Sequence, residues 1–213
     1  MKTQSADLWP AARLAVAGMR VCVVVTMVDV LLLGAKYEDR VSWYTHDTDV
    51  PVLGFLAALI ELVVRLDTVL LVTGCVWVLA VSGTAVAFVG WLVQAARNAD
   101  RLDGRPRRLS SVADVVIPYR AVRAVNEASV AGSGPAPVGR WWAALLVTVP
   151  LVVSGALWRL MVLGQQIDGQ QMRDTRVFAF LLWSAAAAAV WYSSRLGVRV
   201  VRHITEAQAG RAG

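Results

Sequence analysis

Residues 68–104 read TVLLVTGCVWVLAVSGTAVAFVGWLVQAARNADRLDG. From Thr68 to Ala96 there is no charged side chain, and then Arg97, Asn98, Asp100 and Arg101 arrive within two turns. A helix rises 1.5 Å per residue, so about 20 apolar residues cross a hydrocarbon core of roughly 30 Å. The stretch therefore reads as a spanning helix whose end leaves the membrane among arginines. Trp91 is expected near the headgroups at that end, with Arg97 and Arg101 one turn apart toward acidic lipid. Asn98 is the residue that leaving a membrane does not explain.

Three further apolar blocks qualify by the same length rule, at about 11–35, 141–163 and 177–194. Trp9 and Pro10 suit the start of the first, and Pro150 inside the third is expected to bend it. Composition agrees: 57% of residues are hydrophobic and 17% charged, against roughly 45–50% and about 25% in soluble domains. The first block is broken by Arg20 and Asp29 and lacks a clear cleavage site, so it does not read as a signal peptide.

The net charge of +6 is carried by arginine, with Lys2 and Lys36 the only lysines. These arginines cluster beside apolar blocks, which favours anionic headgroups over nucleic acid. The connection 97–140 holds Arg97, Arg101, Arg105, Arg107, Arg108, Arg120, Arg123 and Arg140, and the segment after the fourth block holds Arg195, Arg199, Arg202 and Arg211. The connection after the first block is instead acidic, with Glu38, Asp39, Asp47 and Asp49. The positive-inside rule then puts 97–140 and both termini in the cytoplasm. Arginine in place of lysine reads as a GC-rich genome, so the expected location is a bacterial plasma membrane.

Residues 51–66 are apolar but short, with Gly54, Ala58, Glu61 and Arg65 on one stripe. Were they to span, the arginine-rich connection would face outward, so an outer interfacial or partly re-entrant helix is expected. Within 97–140, Ser111-Val112-Ala113-Asp114 has the form of a capping box. Pro118 then opens a short helix with Tyr119, Val122, Val125 and Asn126 on one side and Arg120, Arg123 and Glu127 on the other. Such a helix suits the inner headgroups. The stretch 131–139, AGSGPAPVG, is a flexible joint, and Trp141-Trp142 marks the return to the membrane.

The expected architecture is an all-α integral membrane bundle, one domain over 1–213. It has four transmembrane helices, an outer interfacial helix and an inner amphipathic helix. Helices in lipid touch through small side chains. Ala11, Ala15, Gly18 and Cys22 form one such stripe and Ala80, Gly83, Ala87 and Gly90 another, so the first two helices are expected to meet along them. The run Ala185 to Ala189 allows close approach on the fourth. Cys22 and Cys75 read as small packing residues at different depths, without a disulfide.

Asp29 continues the first stripe and so faces the bundle interior. A carboxylate at such depth costs roughly 2.5–3.5 kcal/mol on insertion scales. It reads either as a proton or cation site or as an acid held by nearby hydroxyls or backbone, and with no second acid beside it the structural reading leads. Arg20, opposite Gly18, reads as snorkelling to the inner headgroups. His46 and His203 sit in no catalytic motif, and no phosphate loop or metal spacing occurs, so no cofactor or metal is implied. The polar aromatic segment Ser42 to Asp47 suits an interface, and Gln165, Gln166, Asp168, Gln170 and Gln171 carry no assignable chemistry.

One family is suggested by motif order. Trp91 is followed by AARNA at 95–99, PYRAVR at 118–123, Ala128-Ser129 and Trp141-Trp142. This resembles the domain of unknown function family numbered 4328, small bacterial polytopic membrane proteins, from Thr68 to the fourth helix. Members carry an aromatic, proline-containing stretch before the Pro-Tyr helix where this chain has RPRRLS at 105–110. The resemblance implies a topology and no activity. The residues singled out are thus Asp29, Arg97, Asn98, Arg101, Pro118, Tyr119, Arg120, Arg123, Trp141 and Trp142. The reading they favour is a non-enzymatic module binding lipid, a membrane-protein partner or a second copy through a basic face. The alternative is a small transporter or channel subunit using Asp29, and an enzyme acting on headgroups ranks last.

Overall fold

Helix α1 (Trp9–Glu38) and helix α2 (Asp67–Asp103) carry the first two apolar blocks without a break in a computed structural model of the chain. A short helix α3 (Pro118–Ser129) follows, then α4 (Val138–Gly164) and α5 (Gly169–Ala212). The structure describes residues 8–38, 67–103, 118–129, 137–164 and 169–212, and among them there is no strand. The expected outer helix at 51–66, the capping box at Ser111, the segment 42–47 and residues 165–168 lie outside the described residues.

Four helices are long and apolar enough to cross a membrane: Trp9–Leu33, Val72–Arg101, Val138–Trp158 and Val177–Arg211. They fit a multi-pass membrane protein. Their outward faces are apolar and uncovered, with Leu79 72% exposed and Leu31, Val86, Leu146 and Leu181 similarly open. A soluble surface rarely leaves so large an apolar area bare, whereas lipid tails solvate it. Local signals frame the helices. Pro10 occupies the first turn of α1, where its missing N–H costs nothing, and the Leu8 carbonyl accepts the Ala12 N–H at 2.9 Å. Helix α4 continues through Pro150.

Helix α1 packs against α2 on one side and α5 on the other, and α5 also packs against α4. Helix α3 lies across α2, α4 and α5. The core concentrates where α1 begins, α2 ends, α4 begins and α5 ends: Met19, Trp91, Val122, Trp141, Val200 and Ile204 belong to one buried cluster. This end also carries the described arginines from Arg97 to Arg140 and from Arg195 to Arg211, and is called the basic end below.

Three expectations are corrected by the packing. The helix of the fourth apolar block does not end near 194, as expected. Helix α5 runs on to Ala212, with Leu196, Val200, Val201 and Ile204 buried. Their i, i+4 recurrence makes a continuous apolar stripe that the intervening arginines obscure. Next, the α1–α2 seam follows the expected small residues on α1 but not the two expected glycines on α2. Ala15 is fully buried, and a Cβ added to Gly18 would stand 2.8 Å from Thr84 Oγ1. On α2, Gly83 and Gly90 are exposed and a Cβ added to either would meet nothing, while Trp77 and Thr84 make the described contacts with α1. One smooth helix already permits close approach, so the other can present bulk. Finally, Cys22 is a buried packing residue, but Cys75 is exposed, and both are free.

The α4–α5 seam follows the same logic. The Trp183 ring lies over Gly155, where any Cβ would overlap it. Thr148 Oγ1 donates to the Ala144 carbonyl of its own helix at 2.7 Å and reaches the Ala189 carbonyl of α5 at 3.1 Å. From the alanine run, Ala186 and Ala187 are buried while Ala185 and Ala188 stay exposed.

Candidate functional site: the basic end

The α2 extension from Arg97 to Asp103 stays helical beyond the apolar span, so its faces separate by the helical period. Arg97 and Arg101 are exposed, and Asn98 and Ala99 between them are buried. Helix α3 sorts its residues likewise. Ala121, Val122, Val125, Asn126, Ala128 and Ser129 are buried against the bundle, and Arg120, Arg123 and Glu127 are exposed. Its apolar side meets protein, where the sequence suggested headgroups. Only its polar side remains for other partners.

Aromatic rings fix the start of this arrangement. Pro118 opens α3 and Tyr119, half-buried, stacks on Trp142 of α4 with centroids 5.7 Å apart. Trp141 is buried and packs on Phe88 of α2 at 5.4 Å, and Phe88 packs on Trp91 at the same distance. Neither Trp91 nor Trp141 is the membrane-interface anchor the sequence suggested. Trp91 is fully buried, and its Nε1 donates to Thr205 Oγ1 of α5 at 3.2 Å. A tryptophan marks an interface only when one edge is wet, and here α5 covers that edge.

Polar side chains of α5 fix the other end of α3. Gln208 Nε2 donates to Ser129 Oγ at 2.7 Å and to the Ala95 carbonyl of α2 at 2.9 Å. Ser129 Oγ in turn donates to the Val125 carbonyl. Arg211 Nη1 donates to the Ala128 carbonyl at 2.6 Å. That carbonyl is one of the last four in α3 that no intrahelical N–H reaches, and a cation there also opposes the negative end of the helix dipole. Helix α3 has no basic residue in its own last turn, so α5 provides it. The oxygens Asn126 Oδ1 and Gln208 Oε1 are buried without a described donor, a cost that the surrounding packing must offset.

The contacts made by Gln208, Arg211, Thr205 and Ser129 were not anticipated from sequence. The signal was the spacing Leu196, Val200, Ile204, Gln208, which carries one helical face to the last polar contact. On the outer side of α3, Arg123 Nε donates to Glu127 Oε1 at 2.8 Å with both side chains exposed. Its hydrogen bonds to Glu127 first and Tyr119 second hold the Arg123 guanidinium above its ordinary pKa. It stays charged at every accessible pH.

Asp29 stands apart from this assembly, roughly 15 Å beyond Met19 along α1. It is fully buried, on the same face as Thr26, which donates from Oγ1 to the Cys22 carbonyl and accepts from Trp77 Nε1 at 3.1 Å. The other nine singled-out residues all lie on the elements of the basic end. Arg20 is exposed, as snorkelling requires, and faces α5 across a cleft. His203 is half-buried with Nε2 inside the protein. Among the described residues no three His, Cys, Asp or Glu side chains gather as metal ligands. No family model, no curated protein and no solved structure matches the chain.

Proposed function

We propose that the protein is a non-enzymatic membrane module whose basic end binds anionic lipid headgroups. The observation that supports this is the docking of α3. Its apolar side is consumed by contact with α2, α4 and α5, so it is a fixed platform that presents Arg120 and Arg123 outward at the same end where α2 exposes Arg97 and Arg101. Charges held on a rigid face attract an anionic surface without the entropy cost of ordering a loop. On this reading the basic end faces the cytoplasm of a bacterium and both termini lie inside, the topology that the resemblance to family 4328 implies. A protein partner or second copy with an acidic face would use the same arginines.

In nanodiscs holding the full chain, dansyl-labelled phosphatidylglycerol is expected to enrich around the protein at low salt. The enrichment should shrink as salt rises and in the variant R97Q/R101Q/R120Q/R123Q. Equal enrichment for variant and wild type at low salt would sink the lipid reading. Reporter fusions at Asp47 and Gly134 should fall on opposite sides of the membrane, and the same side for both would break the topology.

One observation favours a second reading, a transporter or channel subunit: the complete burial of Asp29 within a span. It ranks lower because the sequence brings no second acid beside Asp29 in that helix. Proton or cation flux in proteoliposomes should then depend on Asp29, and flux unchanged in Asp29→Asn would remove this reading.

A further inference from the structure

Two adjoining clefts open along the seam between α1 and α5. The smaller, of about 360 Å³, is bordered by Arg13 and Arg20 of α1 and by Arg202 and Glu206 of α5. The larger, of about 550 Å³, is bordered by Arg20, Arg195, Arg199 and Arg202. Arg20 and Arg202 border both, so the two clefts meet at that pair. The spacing explains the convergence: Arg195, Arg199, Arg202 and Glu206 follow at four, three and four residues on one face of α5, and Arg13 and Arg20 share a face of α1.

Charge and depth separate within this seam. The helices run antiparallel, so Arg13, Arg202 and Glu206 lie toward the basic end, while Val23, Val24 and Trp191 lie farther into the apolar span. Val24 is 61% exposed, continuous with the lipid-facing surface of α1. Arg195 rests over the Trp191 ring, 5.5 Å from its centroid. No ion pair joins Arg13, Arg20, Arg199 or Arg202 to a described acid. Five guanidiniums border the clefts against the single carboxylate of Glu206, so this edge of the hydrocarbon attracts an anion, and the planar forks match phosphate oxygens.

We propose that the α1/α5 seam binds one anionic phospholipid, with its phosphate among Arg20, Arg199 and Arg202 and an acyl chain along Val23, Val24, Val198 and Trp191. A soluble phosphate ester would use the arginines and leave the apolar wall bare, so the wall selects a lipid. A zwitterionic headgroup would bring its cation against this arginine cluster, so the charge selects an anionic one. Glu206 accepts hydrogen bonds only, and suits the hydroxyls of a glycerol headgroup beside the phosphate. The site shares anionic lipid with the α2/α3 platform but none of its residues, so each can fail alone.

The test is lipid retention by the full chain in a neutral detergent, read by native mass spectrometry during titration with phosphatidylglycerol or phosphatidylcholine of matched chains. One phosphatidylglycerol should bind about tenfold more tightly than phosphatidylcholine, and R20Q/R199Q/R202Q should lose at least about tenfold. Val24→Trp, which narrows the wall from an exposed position, should weaken binding without touching the arginines or the core. Millimolar glycerol phosphate should fail to displace the lipid. Displacement by it, equal binding of the two lipids, or loss in R97Q/R101Q/R120Q/R123Q with retention in R20Q/R199Q/R202Q would each overturn the assignment.

Discussion

The basic end and the opposite half of the same four helices are packed by different means. At the basic end Trp91, Val122, Val200, Val201 and Ile204 are removed from solvent completely by five converging helices. In the opposite half the described contacts are pairwise: Trp183 over Gly155 with its ring 6.1 Å from that of Trp77, Trp77 to Thr26, Trp158 against Phe178, and Asp29 buried on the same face of α1 as Thr26. Arginines such as Arg97, Arg101 and Arg199 cannot rest in hydrocarbon, so the basic end extends to the headgroups and the water beyond. There apolar burial drives packing as it does in a soluble protein. Within the lipid it does not, and close backbones and hydrogen bonds take over.

The contrast breaks most easily at Trp91. Trp91→Ala removes a fully buried ring and its bond to Thr205, and should cost about 3–5 kcal/mol in an SDS unfolding titration. A loss under about 1 kcal/mol, the size expected of a surface change, would mean that the basic end is not the stable core. Leu79→Ala, on the lipid-facing side of α2, supplies that surface reference.

A smaller effect separates docking of α3 from stability of the spans. Gln208→Leu keeps bulk but leaves Ser129 Oγ and the Ala95 carbonyl without their shared donor, at about 1–3 kcal/mol. Hydrogen exchange should accelerate in α3 while the amides of α1 and α4 keep their protection. Uniform acceleration over all helices would show that α3 and the spans unfold as one unit, and would erase the distinction drawn here.

The sequence displayed the spans well because lipid imposes length and polarity together, and nothing in 68–96 offers an alternative. It hid the seams because a small-residue stripe says where backbones can approach, not which partner supplies the bulk. Gly83 and Gly90 therefore suggested a contact that Trp77 and Thr84 make. The C-terminal part of α5 was obscured by chemistry. Arg195, Arg199 and Arg202 dominate any average over that segment, although Leu196, Val200 and Ile204 keep the helical period beneath them. Missing that stripe also misplaced α3, since the surface its apolar side covers is partly the one α5 presents. At the candidate site, exposure of Arg97, Arg101, Arg120 and Arg123 followed from periodicity. Burial of Trp91 and Trp141 did not, because a tryptophan beside arginines looks the same whether lipid or another helix covers it.

One device recurs in both halves, and its test is the finest. Thr26, Thr84, Ser129 and Thr205 each donate a hydroxyl to the carbonyl four residues back in their own helix. That spends the only proton, so the oxygen can only accept from the neighbouring helix: Trp77 gives to Thr26, Gln208 to Ser129 and Trp91 to Thr205. At Thr84 the same logic makes the Cys22 thiol, 3.1 Å away, the donor. In the apolar half such a bond has few companions, so Trp77→Phe should cost about 0.6–2 kcal/mol in the same titration. Thr26→Val should cost no more than Trp77→Phe, and the double variant should cost less than their sum, because both remove one bond. Strict additivity would show that Trp77 acts through its ring alone, and would leave packing rather than hydrogen bonding as what joins α1 to α2 inside the lipid.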